Sequence, residues 1–150
     1  DGFYKVYAQK EGYIRSNSIL LKVGQGASSS VDLTVTVDDG DGGGGDKDII
    51  SFTVDADKLD FGKLNSGSSS TKNITFSNNG TSDIRIESMV NGDSLFTENL
   101  DLNGVSWKNF ETDISQDGSQ DVAVELSIPA GYPDGSGTKS AQLTFWAVAQ

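Results

Sequence analysis

The chain has 150 residues, and its 22 acidic and 11 basic side chains give a formal net charge of −11. It contains no Cys and no His, which excludes a Ser-His-Asp triad, a cysteine nucleophile and metal sites built from thiolates or imidazoles. The negative charge argues against a nucleic-acid partner, because the phosphates would be repelled. No apolar run approaches the roughly 18–20 residues that cross a bilayer, so we expect no membrane span in this chain.

Three strands are predicted within residues 1–37, at 3–9, 18–23 and 30–37. The third alternates between apolar and polar residues, which is the period of a half-buried antiparallel strand. Its apolar positions are Val31, Leu33, Val35 and Val37. Three strands bury too little surface to be stable alone, and the chain opens directly in a strand. We therefore expect a piece of a longer chain, or a unit that a strand from a neighbouring subunit completes.

Residues 38–48 consist almost entirely of Gly and Asp, a composition typical of a hydrated linker. Asp39 and Asp41 also raise the possibility of a calcium loop. Counted from Asp39, however, the fifth and twelfth ligand positions of an EF-hand fall on Gly43 and Ile50, which carry no side-chain oxygen. The sequence therefore favours a linker, and we expect no metal or cofactor.

Residues 49–150 carry short strand patterns with turn signals between them, as in a β-sandwich. The predicted strands are 49–54, 59–61, 71–77, 84–89, 107–112, 121–128 and 140–148, with a single helical turn within 93–100. Five dipeptides favour turns in which both central residues have positive φ. They are Asn79-Gly80, Asn91-Gly92, Asn103-Gly104, Asp117-Gly118 and Asp134-Gly135.

Alternation within these strands predicts which side chains face the core. Ile74 and Phe76 are expected inside, with Asn73 and Thr75 outside. Trp146 is expected outside, and the other predicted core positions are Val122, Val124, Leu126, Ile128, Leu143 and Phe145. The pattern predicts an all-β protein with a small N-terminal β unit at 1–37 and an antiparallel β-sandwich at 49–150.

Two stretches of the larger unit resemble a known family. The run at 59–62, Leu-Asp-Phe-Gly, is followed by Gly67-Ser68 and by a strand that ends at Asn78-Asn79-Gly80. This pattern resembles the immunoglobulin-like choice-of-anchor D and Hydin-type domains. The run at 122–131 is similar to the final strands of prokaryotic surface sandwiches. The resemblance covers nearly all of 50–150 and implies an immunoglobulin-like β-sandwich.

A second resemblance covers the N-terminal unit. The sequence at 1–13, with Gly2 and Tyr4 near its start and Gly12-Tyr13 at its end, is similar to carboxypeptidase-regulatory-like, prealbumin-like domains. Only the C-terminal half of that family's pattern is present, which implies a partial prealbumin-like unit at 1–37. Together the two resemblances imply tandem modules of a secreted or cell-surface protein from a bacterium or an archaeon.

Three aromatic residues are candidates for stacking on sugar rings, as in carbohydrate-binding sandwiches. They are Trp107, Tyr132 and Trp146. The alternative, which the sequence favours, is that Trp107 and Trp146 pack in or near the core or cover the edge of a sheet.

Two N-glycosylation sequons are present, at Asn73-Ile74-Thr75 and Asn79-Gly80-Thr81. Their number is what this composition gives by chance. Their positions carry more weight, because Asn73 is predicted to face outward and Asn79 to lie in a turn. We expect Asn73 and Asn79 to be accessible, with occupancy depending on the source organism.

A glycosidase needs only two carboxylates as catalytic groups, but most Asp and Glu residues of this chain lie in predicted loops or at outward strand positions. We therefore expect no enzyme and no catalytic residue. The first functional hypothesis is a structural and interaction segment, a spacer or stalk, of an extracellular or cell-surface protein. The second is a subunit of an extracellular filament or sheath assembled by strand complementation, and the third is a carbohydrate-binding module. The expected partners are other surface-protein modules, like subunits or glycans.

Overall fold

The computed structural model describes residues 14–23 as backbone and residues 49–132 and 137–150 with their side chains. Four sequence expectations lie outside these ranges: the strands at 3–9 and 30–37, the Gly/Asp linker at 38–48, and the Asp134-Gly135 turn.

Ten strands, one short α-helix and one 3-10 helix follow one another along the described residues. In chain order they are β1 (Ile14–Val23), β2 (Phe52–Val54), β3 (Lys58–Asp60), β4 (Ser69–Asn78), β5 (Ile84–Gly92), α1 (Ser94–Asn99), β6 (Leu100–Leu102), β7 (Val105–Ser106), the 3-10 helix (Trp107–Asn109), β8 (Glu111–Ile114), β9 (Ser119–Ser127) and β10 (Lys139–Ala149). The predicted all-β class is confirmed.

The strands form two five-stranded sheets. Sheet A has the order β3-β1-β10-β5-β8, and sheet B has the order β2-β4-β9-β6-β7. Neighbouring strands are antiparallel except for β1 and β3, which are parallel. The two sheets pack face to face, so that the Phe76 ring of sheet B meets the Phe145 ring of sheet A edge-on, with centroids 4.7 Å apart. The predicted sandwich is therefore present.

Every predicted core position of the sandwich is buried. Ile74 and Phe76 of β4 are fully buried, whereas Asn73 is exposed and Thr75 is half-buried. The other predicted core residues are also buried: Val122, Val124, Leu126, Ile128, Leu143 and Phe145. A period-two pattern identified these faces correctly because successive side chains of a strand point to opposite sides of the sheet.

The segment after β5 differs from the prediction. The predicted helical turn within 93–100 is present as α1, and its N-cap Asp93 accepts a hydrogen bond from the Leu95 backbone N–H at 3.0 Å. The predicted strand at 107–112 is wrong in its first half, because Trp107–Asn109 is a 3-10 helix and β8 begins only at Glu111. The short strands β6 and β7, which pair as a hairpin, have too few residues to show a period.

The backbone φ angles differ among the Asn-Gly and Asp-Gly dipeptides. Asn103 and Gly104 both have positive φ, at 50° and 74°, as a tight hairpin between β6 and β7 requires. Asp117 also has positive φ, at 57°, but Gly118 does not. Gly80 is required for another reason: a Cβ there would clash with the backbone carbonyl of Ile49. Close approach between chain segments, rather than positive φ, selects this glycine.

Strand β1 contains the predicted strand at 18–23 and lies in sheet A. It pairs antiparallel with β10 at eight positions and parallel with β3 at three. The sequence interpretation placed this strand in the N-terminal unit, but its register sets Leu21 opposite both Ala141 and Leu59, two buried core residues. The strand fills the space between β10 and β3. The domain boundary at 38–48 stays a prediction, because that segment lies outside the described residues.

Candidate functional site

The indole of Trp146 lies on the outer face of sheet A, as the alternation in β10 predicted. Its Nε1–H donates a hydrogen bond to Glu87 Oε2 at 2.8 Å. The two residues are register partners on β10 and β5, and Trp146 is half-buried. The hydrogen bond restrains the indole on the outer face, where part of its surface is exposed.

The outward positions of the neighbouring strands β5 and β8 carry charged side chains of both signs. Arg85 donates from Nε to Asp113 Oδ1 at 2.7 Å and also lies 3.6 Å from Glu111. The hydrogen bond from Arg85 holds the pKa of Asp113 below its usual value and raises the pKa of Arg85 itself. Met89, a large apolar side chain that is 42% exposed, lies two residues from Glu87 on the same strand. The outer face therefore combines one indole, one thioether and a paired charge cluster.

Trp107 serves the packing of the sandwich. Its Nε1–H donates to the backbone carbonyl of Thr97 in α1 at 3.0 Å, and its own carbonyl accepts from Ser88 Oγ at 2.8 Å. The side chain is half-buried against the core cluster. The Trp107 ring therefore packs next to the core, and its N–H is bonded to the backbone of α1.

Tyr132 lies at the other end of the sandwich from Trp146. Its side chain is partly buried against the core, and its backbone N–H donates to the Pro129 carbonyl at 3.1 Å. Tyr132 is near enough to Lys139 to contribute to the raised pKa of that ammonium group, which is raised first by its hydrogen bond with Asp93. Trp146 is seven residues from Lys139 along β10, which is roughly 23 Å.

The three aromatic candidates are therefore not brought together. Trp107 contacts Ser88, a core-facing residue of β5, whereas Trp146 bonds the outward-facing Glu87. Tyr132 lies near the beginning of β10 and Trp146 near its end. A glycan could meet Trp146 alone, but the described residues offer no single surface on which all three rings stack.

The two sequon asparagines are both exposed. In the first sequon, Thr75 donates from Oγ1 to Asp121 Oδ1 at 2.8 Å. In the second, Asn79 donates from Nδ2 to Thr53 Oγ1 at 3.1 Å, so a glycan would have to take the other hydrogen of that amide nitrogen for this bond to be kept. Asn73 is the less constrained of the two, and occupancy at both sites stays a prediction.

Asn78 is a buried polar residue that the sequence analysis did not single out. It is 2% exposed, and its Nδ2 donates to the carbonyls of Ser82, Ile114 and Ser115 at 2.9 to 3.2 Å. Its Oδ1 accepts from the Gly80 N–H at 3.0 Å. The available signal was its place two residues after Phe76, on the inward face of β4. Asn78 ties sheet B to the end of β8 in sheet A.

The most extended interaction site in the described residues is the space that β1 fills, which we call the β1 slot. It is bounded by β10 on one side and β3 on the other. The core face of β10 beneath it is formed by Ala141, Leu143, Phe145 and Ala147, all buried, and β3 contributes the buried Leu59. A strand in the slot pairs with the backbone groups along this edge of β10 and extends the apolar inner face of sheet A toward β3.

Other kinds of site find no support in the part of the chain that the structure describes. Within it, no three acidic side chains gather as a metal site would require. None of its helices is long and apolar enough to cross a membrane. No protein-family model matches the sequence, and comparisons with curated proteins and with solved structures found no match.

Proposed function

We propose that this chain is a non-enzymatic structural module of a secreted or cell-surface protein, and that its sandwich depends on the strand β1 for completion. The observation that carries the proposal is the place of β1 in the β1 slot, inside sheet A rather than in a separate unit. The module acts by presenting a stable, strand-completed surface to other modules or to like subunits.

The slot needs a strand for physical reasons. Without β1, eight paired positions of β10 would expose unsatisfied N–H and C=O groups along a sheet edge. The same edge would uncover part of a core that contains the fully buried Leu143 and Phe145. Long, apolar, unpaired edges pair with other chains and cause aggregation. Strand completion therefore links the folding of this module to its interactions.

The spacer role receives less support than the assembling role. Ile14, at the start of β1, pairs with Ala147, near the end of β10, so these two described ends lie at the same end of the sandwich. A spacer gains most length when the chain enters a module at one end and leaves it at the other.

The extracellular location is supported by two sequence features. The net charge of −11 keeps the surface hydrated and self-repelling, and the resemblance at 50–150 is to modules of prokaryotic surface proteins. Protease treatment of intact source cells tests the location. The proposal expects the chain to be cut before cytoplasmic markers are lost, and full protection of the chain would contradict it.

A matched pair of substitutions tests strand completion. Leu21 holds the core-face position opposite Ala141 and Leu59, whereas Leu20 holds the neighbouring position opposite the exposed Gln142. We expect Leu21→Asp to lower the free energy of unfolding by at least about 2 kcal/mol, and Leu20→Asp to change it by less than about 0.5 kcal/mol. Urea unfolding followed by tryptophan fluorescence measures both. Equal effects of the two variants would overturn the proposal.

A carbohydrate-binding role is the second candidate, and the hydrogen-bonded indole of Trp146 on the outer face supports it. If glycans bind there, Trp146→Ala removes retention on a glycan array while the unfolding midpoint stays near that of the parent chain. Trp107→Ala is the matched control, since that ring is held against α1. Retention unchanged by Trp146→Ala would exclude this site.

A further inference from the structure

We propose that the β1 slot also accepts β1 from a second copy of this chain, so that copies are linked by strand exchange. The inference rests on the proposed function, because it requires that β1 complete the sandwich. Beyond the proposed function, it names the partner, which is another molecule of the same sequence, and the register in which the partner's β1 pairs.

The two described residues that flank 24–48 lie at opposite ends of β10. Val23 pairs with Lys139 at the beginning of β10. Ile49 exchanges hydrogen bonds with Thr81, and the nearby Asp83 carbonyl accepts from the Gln150 N–H beyond the end of β10. Val23 and Ile49 are therefore separated by about the length of β10, which is roughly 36 Å for 11 residues.

Residues 24–48 provide 25 residues for this distance. Fully extended, such a segment reaches roughly 80–90 Å, about twice what the path within one molecule needs. A connection of this length permits β1 to reach the slot of a neighbouring molecule as well as its own.

The contacts of β1 are the same in either molecule. The described contacts are backbone pairs with β10 and β3, and an identical chain offers the same pairs in the same register. The irregularity between Arg15 and Ser18 also has a fixed place in that register. Exchange of an identical element between copies costs little for this reason. A second copy is the occupant that the observed pairing already shows to fit.

Concentration decides which molecule supplies the strand. Because 25 residues tether it to its own slot, the molecule's own β1 has an effective concentration on the order of 1 mM. Copies must reach a similar local concentration before exchange competes, as they do when they are held side by side on a surface. The charge of −11 on each copy opposes their approach, and salt reduces this repulsion. Exchange should therefore increase with both protein and salt concentration.

The absence of Cys from the sequence allows a direct test with engineered cysteines. Leu20 and Gln142 are directly opposite in the β1–β10 pair, within the reach of a disulfide. Full-length Leu20→Cys chains are mixed with full-length Gln142→Cys chains, unfolded, refolded together at about 1 mM or about 10 μM, and oxidised. Mass spectrometry of the unreduced product counts heterodimers that contain both variants.

Two controls accompany this mixture. In the first, Leu20→Cys chains are mixed with Asn91→Cys chains; Asn91 is the register partner of Gln142 on β5, so it lies two strands away from Leu20, roughly 10 Å. In the second, Leu20→Cys and Gln142→Cys are placed in one chain, where β1 in its own slot gives a disulfide within the molecule.

Strand exchange predicts at least tenfold more heterodimer for the Leu20→Cys and Gln142→Cys mixture at 1 mM than for the Asn91→Cys control. It also predicts a further rise with salt and a fall of at least tenfold at 10 μM. Heterodimer at the control level under all conditions would overturn the exchange. If the double variant still formed its internal disulfide, the proposed function would stand; if it did not, both proposals would fail.

Discussion

The strand borders of the two sheets differ in polarity and in whether another strand covers them. In sheet B, the stretch 69–73 of β4 pairs only with β9 among the described residues, and most of its side chains are exposed and polar, including Lys72. In sheet A, β10 borders a slot above fully buried Leu143 and Phe145 and is covered by a strand from a remote part of the chain. A polar edge can face water, whereas an apolar edge requires a partner.

The comparison distinguishes sheet B, whose strands are close together along the chain, from sheet A, which β1 completes. Sheet B is built from residues 52–127, where the connections between strands are short. Sheet A depends on β1, which is separated from Ile49 by residues 24–48. Three substitutions test whether the shared core, the tie between the sheets and the end of sheet A contribute in the order that this comparison predicts.

The largest effect is expected from the core that both sheets share. Phe145 of β10 is fully buried and its ring meets Phe76 of β4. Phe145→Ala should lower the free energy of unfolding by about 3–5 kcal/mol, because it removes buried apolar surface and leaves a cavity. Urea unfolding measures the change, with Gln142→Ala, an exposed position on the same strand, as the control. A loss below about 1 kcal/mol would show that the sheets do not share this core.

An intermediate effect is expected at the tie between the sheets. Asn78→Ala leaves the carbonyls of Ser82, Ile114 and Ser115 without their donor. We expect a loss of about 2–3 kcal/mol, because buried polar groups without partners are costly. Asn79→Ala, at the exposed neighbouring position, should cost less than about 1 kcal/mol. Thermal unfolding of the two variants measures both losses. A larger loss for Asn79→Ala than for Asn78→Ala would refute the role of Asn78.

The smallest effect is expected at the end of sheet A, where Asp93 caps α1 and lies 3.1 Å from the Lys139 ammonium group. The backbone hydrogen bond from Leu95, with a smaller contribution from Lys139, lowers the pKa of Asp93 from its usual 3.8. The stability that its ionised form provides is therefore complete above about pH 4 and is lost as the pH falls through the lowered pKa.

Asp93→Ala should cost about 1 kcal/mol at pH 7, and the cost should be smaller at pH 2, because the contribution of the ionised Asp93 is lost as the pH falls toward its lowered pKa. Asp93→Asn keeps a cap acceptor without the charge, so its stability should depend less on pH. Unfolding midpoints at the two pH values provide the measurement. A cost for Asp93→Ala that stays constant with pH would show that the charge of Asp93 contributes nothing.

The sequence predicted those parts of the molecule that depend on neighbouring residues. Alternation placed Ile74 and Phe76 in the core and Trp146 outside, and Asn103-Gly104 identified the β6–β7 turn. The strand prediction failed at Trp107, whose environment depends on a hydrogen bond to Thr97 ten residues away. The sheet that β1 joins could not be predicted, because strand pairing across residues 24–48 leaves no local pattern.

Amide hydrogen exchange of β1 in the full chain tests the central claim most directly. If β1 is an interior strand of sheet A, the amides among Ile14–Val23 that bond to β10 should exchange as slowly as those of β10 itself, because both require opening of the same sheet. Exchange of all β1 amides at the rate of an unstructured peptide, while β10 stays protected, would contradict the account.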